Sequence, residues 1–220
     1  MFRVKICGIT TVADAEAVAE TGADAIGLNF FPKSPRYVNP TTAKKIVSAV
    51  KQQLSVVGVF VNATLDEMLE LADGLPLDYI QLHGDEPISR LSQLAPRRTI
   101  RVLRLRPDRD TWNAEFLRAV ATSRVTPAGV LVDAYQPGNF GGTGQMVDWG
   151  KVRDVGAAIG GCPVLLAGGL NPDNVDDAIR HTGCDGVDVA SGVELKPGVK
   201  DMGRTRHFVA SALGAFGERV

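Results

Sequence analysis

The chain has 220 residues, a length that fits one large domain spanning residues 1–220. Hydrophobic residues make up 45% and charged residues 22%, the mixture of an ordinary soluble globular protein with a sizeable core. The net charge is −1 and no apolar run is long enough to cross a bilayer, so we expect neither nucleic acid nor a membrane as a partner.

The cysteines indicate the cellular compartment. Cys7, Cys162 and Cys184 are odd in number and far apart, which argues against a disulfide framework and favours a reducing environment. The first residues also lack the basic and apolar segments of a secretory signal peptide. We therefore expect a cytoplasmic protein.

Short apolar runs alternate with amphipathic stretches along the whole chain. The runs are continuous rather than strictly alternating, which is typical of strands in a parallel sheet that helices cover on both faces. Eight strands are predicted, at residues 4–7, 25–30, 55–61, 79–83, 99–105, 129–133, 163–168 and 186–190.

Helical stretches follow these strands, and two of them begin with Asn-Pro, at Asn39 and Asn171. An asparagine N-cap followed by a proline in the first helical position is a common helix start. Eight such units favour an α/β fold, a single-domain (β/α)₈ barrel, over a doubly wound open sheet. In both topologies ligands bind at the carboxyl ends of the strands, so candidate residues are sought there.

Three polar side chains end predicted strands. Cys7 ends the first, His83 ends the fourth, and Asp133 ends the sixth. A thiol is more often a buried packing residue, a histidine is as often structural, and an aspartate can cap or fix a loop. Their position nevertheless makes them candidates for acid–base chemistry, because a buried carboxyl group needs a partner or a function.

Two kinds of loop could bind anions. Arg36 follows the second strand in a loop that Pro32 and Pro35 stiffen, and a guanidinium there suits a carboxylate, although most loop arginines are only solvated. Glycine-rich segments follow strands six, seven and eight, at Gly141–Gly144, Gly168–Gly169 and Ser191–Gly192. In barrels of this kind, the loops after strands seven and eight often bind phosphate.

No motif indicates a nucleotide or a metal. The three histidines are far apart, there is no Walker loop, and no Gly-x-Gly-x-x-Gly follows the first strand. The glycine-rich stretch at 134–147 is the longest irregular segment, and such loops are usually functional.

The motifs taken together resemble one family. The chain resembles phosphoribosylanthranilate isomerases, nearly end to end and in order, in six segments: Lys5-Ile6-Cys7-Gly8, Gln81-Leu82-His83-Gly84, Gly141-Gly142-Thr143-Gly144 with Asp148-Trp149, Ala167-Gly168-Gly169-Leu170, Gly186-Val187-Asp188-Val189, and Ser191-Gly192-Val193-Glu194.

The resemblance implies an enzyme of tryptophan biosynthesis that performs a cofactor-free Amadori rearrangement. It implies Cys7 as general base and Asp133 as general acid. It also implies that Arg36 and His83 bind the substrate, with Arg36 on the anthranilate carboxylate. The phosphate would lie on the backbone of the residues Gly168, Gly169, Ser191 and Gly192.

Some positions depart from the expected pattern. Arg101 stands where the fifth strand usually has lysine, Ala190 replaces a serine, and Met146-Val147 replace an aromatic residue. Because of Arg101, the sequence alone does not determine the charge on that side of the pocket.

Three alternatives remain. The histidine-pathway isomerase uses an aspartate where Cys7 stands, so Cys7 distinguishes the two. A metal-dependent epimerase would need clustered histidine and acidic ligands, which this sequence lacks. A catalytically inactive phosphate-binding barrel is opposed by the presence of Cys7, Asp133 and Arg36. Monomer and homodimer are both compatible with the sequence.

The strand period gives one further prediction. Residues two apart share a face, so Lys5 lies below Cys7 inside the barrel. A buried ammonium needs a partner, and closure of the barrel brings the last strand, with Asp188, beside the first. We therefore predict a Lys5–Asp188 ion pair that favours the thiolate of Cys7 or, more simply, fills the barrel floor with a polar plug.

Overall fold

The computed structural model describes residues 1–105, 117–120, 122, 125–134 and 148–218. Eight parallel strands pair in chain order and close into a barrel in which β8 is hydrogen-bonded to β1. This closure confirms the predicted (β/α)₈ barrel and excludes the open sheet. The strands are β1 (Val4–Cys7), β2 (Ala25–Asn29), β3 (Ser55–Phe60), β4 (Tyr79–Leu82), β5 (Thr99–Leu105), β6 (Gly129–Ala134), β7 (Val164–Leu166) and β8 (Gly186–Val189).

Each strand is buried on both faces, which explains the continuous apolar runs of the sequence. One face fills the barrel interior with a cluster of apolar side chains, and the other packs against the surrounding helices. The interior cluster consists of Phe2, Ala25, Val57, Tyr79, Ile100, Val102, Leu131, Leu165 and Ala167.

The helices surround the barrel, and residues 117–120 between β5 and β6 are helical as well. They are α1 (Val12–Ala19), α2 (Pro40–Val50), α3 (Leu65–Gly74), α4 (Arg90–Leu94), α5 (Trp149–Ala158), α6 (Val175–Thr182) and α7 (Met202–Gly217). None of the helices in the described parts of the chain is long and apolar enough to span a membrane.

Local sequence determines where the helices begin. Asn39 caps α2 as predicted, since its side chain accepts a hydrogen bond from the backbone of Thr42 at 2.9 Å. The predicted start of α6 at Asn171 is wrong. Asn171 instead accepts from Asp173 N in a tight turn, and the N-cap is Asn174, three residues later.

A small antiparallel hairpin, which the sequence did not predict, lies between β8 and α7. It follows a 3₁₀ turn at Ser191–Val193 and consists of β9 (Glu194–Lys196) and β10 (Val199–Lys200). Thr10 donates to Gly198 O at 2.6 Å, so the hairpin is fixed to the loop that follows β1. The carboxyl end of β1 is therefore next to the hairpin.

Three aspartates at the amino end of the barrel hold neighbouring strands together. Asp24, Asp78 and Asp185 precede β2, β4 and β8, and each side chain accepts backbone N–H bonds from the start of the preceding strand. Asp185 Oδ2, for example, accepts from Val164 N at 2.8 Å. Asp78 binds Val56 N, and Asp24 binds the first N–H groups of β1. These carboxylates are structural.

Candidate functional site

The carboxyl end of the barrel contains the predicted base. Cys7 is the last residue of β1, is partly exposed, and lies beside Gly27 of β2. A Cβ atom on Gly27 would lie 2.6 Å from the Cys7 sulfur, so any larger residue there would displace the thiol. Gly8 has a left-handed backbone, and a Cβ on it would lie 2.5 Å from the side chain of Arg36. Two glycines therefore make the space that brings Cys7 and Arg36 together.

The ion pair predicted below Cys7 is confirmed. Lys5 is fully buried, and its Nζ lies 2.8 Å from Asp188 Oδ1 and 3.0 Å from Gln81 Oε1. Burial alone lowers the pKa of Lys5, but the negative charge of Asp188 and the neighbouring Cys7 outweigh it and raise the pKa above its usual value. Lys5 is therefore an ammonium group inside the barrel.

The pKa of Cys7 is set by opposing effects. Burial raises it above the usual value of the thiol, while the charge of Lys5 lowers it and the charge of Asp188 raises it. Lys200 and Arg36 act in the same direction as Lys5, more weakly. Burial is the largest of these effects, so the thiol is the resting form, but three cations favour its ionisation.

A buried charge cluster lies beside Cys7. Arg36 Nε donates to both carboxylate oxygens of Glu194, at 2.9 and 3.2 Å, and Nη2 donates to Oε2 at 2.7 Å. Lys200 Nζ donates to Glu194 Oε1 at 2.9 Å and to the carbonyl of Cys7 at 2.6 Å. The hairpin thus joins the loop after β2 to the end of β1.

This cluster also limits what Arg36 can bind. Nε and Nη2 are occupied by Glu194, whereas Nη1 donates to no residue in the described ranges. Burial alone would raise the pKa of Glu194, but the hydrogen bonds and charges of Arg36 and Lys200 outweigh it and lower the pKa. Glu194 is therefore ionised, and Nη1 is the part of the guanidinium that remains for a ligand.

The predicted acid lies on β6. Asp133 is 5% exposed, and its Oδ1 accepts from the backbone of Ala134 at 2.8 Å. Its Oδ2 lies 3.3 Å from Nε2 of His83, which is also buried. Nδ1 of His83 lies 2.9 Å from the side-chain amide of Gln81. The structure thus brings two predicted site residues, His83 and Asp133, into contact.

The fifth strand places its arginines on opposite faces. Arg101 points away from the interior and donates to Leu82 O at 2.9 Å and to Glu86 Oε2 at 3.0 Å, which fixes the loop after β4. Arg104 shares its face with Ile100 and Val102 of the interior cluster. Arg104 is 5% exposed and pairs with Asp85. The substitution at Arg101 therefore leaves the pocket charge unchanged, and Arg104 is the cation on that side.

Two of the three predicted glycine segments lie together. Gly168 and Gly169, after β7, have left-handed φ angles of 82° and 69°. A Cβ on Gly192, after β8, would lie 2.0 Å from the carbonyl oxygen of Leu170, so the two loops are in direct contact. Ser191 opens the 3₁₀ turn that contains Gly192. The remaining predicted segment, Gly141–Gly144, lies outside the described residues, as do Met146-Val147.

Glu194, Lys200 and Arg104 lie at the candidate site but are not predicted from the sequence. Glu194 stands in the sequence only as the end of a motif, and Lys200 lies in a hairpin too short to show a periodic pattern. Arg104 could have been found from the strand period, because it lies two residues after Val102. Among the described residues, no group of three or more histidine, cysteine or acidic side chains could hold a metal ion.

Comparisons with known proteins are consistent along the whole chain. The model of the family described as N-(5'-phosphoribosyl)anthranilate (PRA) isomerase matches residues 4–211. A protein of that name from Citrifermentans bemidjiense is 45% identical over 212 residues, which cover 96% of this chain and 97% of the relative.

Solved structures give the same result. Phosphoribosyl anthranilate isomerase from Thermotoga maritima superposes with a TM-score of 0.85 at 36% identity, over 97% of this chain and all of that one. A structure of such an enzyme in complex with reduced 1-(o-carboxyphenylamino)-1-deoxyribulose 5-phosphate has a TM-score of 0.82 at 35% identity, with the same coverage.

Proposed function

Because this chain belongs to the family of N-(5'-phosphoribosyl)anthranilate isomerases, we propose that the carboxyl end of its barrel carries out their reaction with Cys7 as general base and Asp133 as general acid. The protein is an isomerase of tryptophan biosynthesis. It converts N-(5-phosphoribosyl)anthranilate to 1-(2-carboxyphenylamino)-1-deoxyribulose 5-phosphate. The observation that carries the assignment of roles is the placement of a thiol and a carboxyl group at the carboxyl ends of β1 and β6.

The first step of the proposed mechanism opens the sugar ring. Asp133 donates a proton to the furanose ring oxygen as the bond from that oxygen to C1′ breaks, and the anthranilate nitrogen supplies the electron pair that forms the imine. His83 lies within 3.3 Å of the carboxyl group and would contact the same part of the substrate. A positioned acid of this kind contributes about 10²–10⁴ in rate.

The second step moves a proton from C2′. The thiolate of Cys7 takes it, and the electron pair left on carbon moves into the imine, which gives an enolamine that tautomerises to the ketone. The imine of the substrate accepts these electrons, so the proposed route uses no cofactor. Lys5, Arg36 and Lys200 favour the thiolate that this step needs.

Two anionic groups of the substrate would fix its position. We assign the anthranilate carboxylate to Nη1 of Arg36, because the other side of the guanidinium is held by Glu194. The phosphate is assigned to the backbone of Gly168, Gly169, Ser191 and Gly192, where two loops meet. Sulfate soaked into crystals is expected at these four residues, and an anion found only at Gly141–Gly144 would contradict the assignment.

The decisive experiment supplies phosphoribosylanthranilate, generated in situ, and follows its conversion by ¹H NMR in D₂O. We expect the ketose product with deuterium incorporated at C1′, since the hydrogen added there comes from exchangeable protons. The substrate of the histidine-pathway isomerase is the comparison, and preferential turnover of that compound would refute the proposal.

We further propose a cytoplasmic monomer or homodimer whose partner is this small molecule, with the oligomeric state to be checked by light scattering.

A further inference from the structure

The buried ion pair below Cys7 determines the orientation of a side-chain amide on β4. An ammonium group can only donate hydrogen bonds, so the Gln81 atom 3.0 Å from Lys5 Nζ is the carbonyl oxygen. The other end of the amide is then the NH₂ group, which lies 2.9 Å from Nδ1 of His83. Lys5 thus fixes which way the side-chain amide of Gln81 faces.

The orientation of Gln81 in turn fixes the proton on His83. An amide NH₂ only donates, so Nδ1 of His83 must accept and carries no proton. A neutral imidazole then carries its proton on Nε2. That nitrogen is buried and makes no well-aligned hydrogen bond within the described part of the chain, while Asp133 Oδ2 lies 3.3 Å away. Among the described residues it is therefore a donor without a well-aligned acceptor, beside the proposed acid.

We propose that Lys5 and Gln81 are positioning residues that hold His83 as its neutral Nε2–H tautomer, with this N–H group within 3.3 Å of Asp133. The proposal rests on the assigned role of Asp133. When Asp133 releases its proton to the ring oxygen it becomes a carboxylate, and the Nε2–H group is placed to donate to that new charge. A preorganised donor of this kind stabilises the transition state, in which the charge is already forming.

Charged groups on several strands face the row of side chains that runs from Lys5 through Gln81 and His83 to Asp133. Asp188 on β8 keeps Lys5 ionised, and Cys7 lies on the same face of β1 as Lys5. Arg104 on β5 shares the interior face beside β4 and β6. The titratable or charged groups to be considered in any test are therefore Lys5, Cys7, His83, Arg104, Asp133 and Asp188.

Packing alone does not account for a polar residue at position 81. The neighbouring interior positions are filled by apolar side chains such as Val57, Ile100 and Val102. Gln81 is fully buried there, and a buried amide is costly unless both of its ends are hydrogen-bonded. Both ends are satisfied, one by Lys5 and the other by His83, so the polar chain is continuous from β1 to β6.

The protonation state of His83 can be observed directly. The chain has three histidines, His83, His181 and His207, so ¹⁵N-labelled imidazoles are resolvable, and two-bond couplings identify the protonated nitrogen. In the wild-type protein we expect His83 to be protonated on Nε2 and bare on Nδ1. Gln81→Glu replaces the donor by a carboxylate and should move a proton onto Nδ1. Gln93→Glu makes the same change at an exposed position and should leave the imidazole signals unaltered.

The kinetic consequence is separate from a loss of folding. We expect Gln81→Glu to lower kcat by at least about tenfold, because a wrong tautomer of an otherwise intact histidine is costly in acid–base enzymes. KM should change by less than about threefold, since Gln81 is fully buried below the proposed site. Gln81→Met, which offers Nδ1 neither donor nor acceptor, should give a mixture of tautomers and an intermediate kcat.

The outcomes that overturn the proposal are distinct. A proton on Nδ1 of wild-type His83 would end it whatever the variants do, and this measurement remains available if Gln81→Glu does not fold. A folded Gln81→Glu protein with wild-type kcat, or with Nδ1 still bare, would also end it. Failure of the proposed function itself would appear differently, as a wild-type protein that does not turn over phosphoribosylanthranilate although His83 has the expected tautomer.

Discussion

The two ends of the barrel use the same residue types for different purposes. At the carboxyl end, Cys7 and Asp133 lie beside cations and an imidazole, with groups that can reach a ligand. At the amino end, Cys162 and Asp185 belong to the framework. The comparison teaches that the chemistry of a thiol or a carboxylate depends on what surrounds it. In a barrel, the end of the strand decides those surroundings.

The two cysteines differ in the charges around them, and the two aspartates differ in the groups that they contact. Burial and the charge of Asp185 raise the pKa of Cys162 to about 11 against a backbone hydrogen bond at Val130, with no contribution from a described cation, so that thiol is inert near neutral pH. Cys7 has Lys5 and two other cations that lower its pKa against burial. Asp185 uses its Oδ2 to hold the first N–H group of β7, whereas Oδ2 of Asp133 lies 3.3 Å from His83 and accepts no backbone hydrogen bond from the described residues.

Separate alanine substitutions of the two cysteines should give the largest difference in kcat. Cys7→Ala is expected to lower kcat by about 10²–10⁴, because no other described group is placed to take the proton from C2′. Cys162→Ala should keep the wild-type kcat and lower the free energy of unfolding by about 1 kcal/mol, as small core truncations do. Steady-state assays and denaturant titrations measure both. Equal activity in the two variants would remove Cys7 from its role.

The aspartates provide the second contrast. Asp133→Asn keeps the shape but cannot donate a carboxyl proton, so kcat should fall by about 10²–10⁴ with little change in stability. Asp185→Asn still accepts from Val164 N without the assistance of charge, and should cost about 1 kcal/mol of stability at unchanged kcat. If Asp133→Asn instead destabilised the protein and retained its turnover, Asp133 would belong with the structural carboxylates.

Arg36 tests the side of the pocket that binds the anthranilate. Arg36→Met should raise KM for phosphoribosylanthranilate by about 10- to 100-fold, because one charged partner of a buried carboxylate contact is lost. Binding of ribose 5-phosphate, which lacks that carboxylate, should change by less than about threefold. Lys33→Met removes an exposed cation from the same loop and is the matched control. Equal losses for both ligands would show that Arg36 acts through general charge or folding.

The fold could be predicted because strands buried on both faces leave a clear mark in the sequence. The strand ends then pointed to Cys7 and Asp133 without any coordinates. What could not be predicted were distant contacts made by segments that carry no strand or helix period. The pair of Arg36 with Glu194 joins residues 158 positions apart, through a hairpin too short to show a periodic pattern.

The contact between Lys5 and Asp188 is distant in the chain and was nevertheless predicted correctly, for a geometric reason. The strand period placed it on the face of Cys7, and barrel closure placed Asp188 opposite it in register. The start of α6 failed for the opposite reason. Asn171-Pro172 has the pattern of a helix start, but the side chain of Asn174 accepts from the backbone of Asn171 and closes a turn there first.

The smallest expected effect concerns how strongly neighbouring charges shift the pKa of Cys7. A general base must be deprotonated to act, so kcat/KM rises with pH across the pKa of Cys7 in the free enzyme. Lys5→Met removes the cation that lowers this pKa most and leaves the charge of Asp188, which raises it. The rising limb of kcat/KM should therefore move to higher pH.

A double variant extends this prediction to a rank order of three proteins. Lys5→Met/Asp188→Asn removes both charges, and the effect of Lys5 on Cys7 is larger than that of Asp188. The rising limb should therefore come at the lowest pH in the wild type, at a higher pH in the double variant, and highest in Lys5→Met. Breaking a buried pair destabilises a protein by about 3–5 kcal/mol, so thermal melts must first show that both variants are folded. Superimposable profiles in folded variants would reduce Lys5 to a polar plug of the barrel floor, whereas the predicted order would assign it a part in setting the reactivity of Cys7.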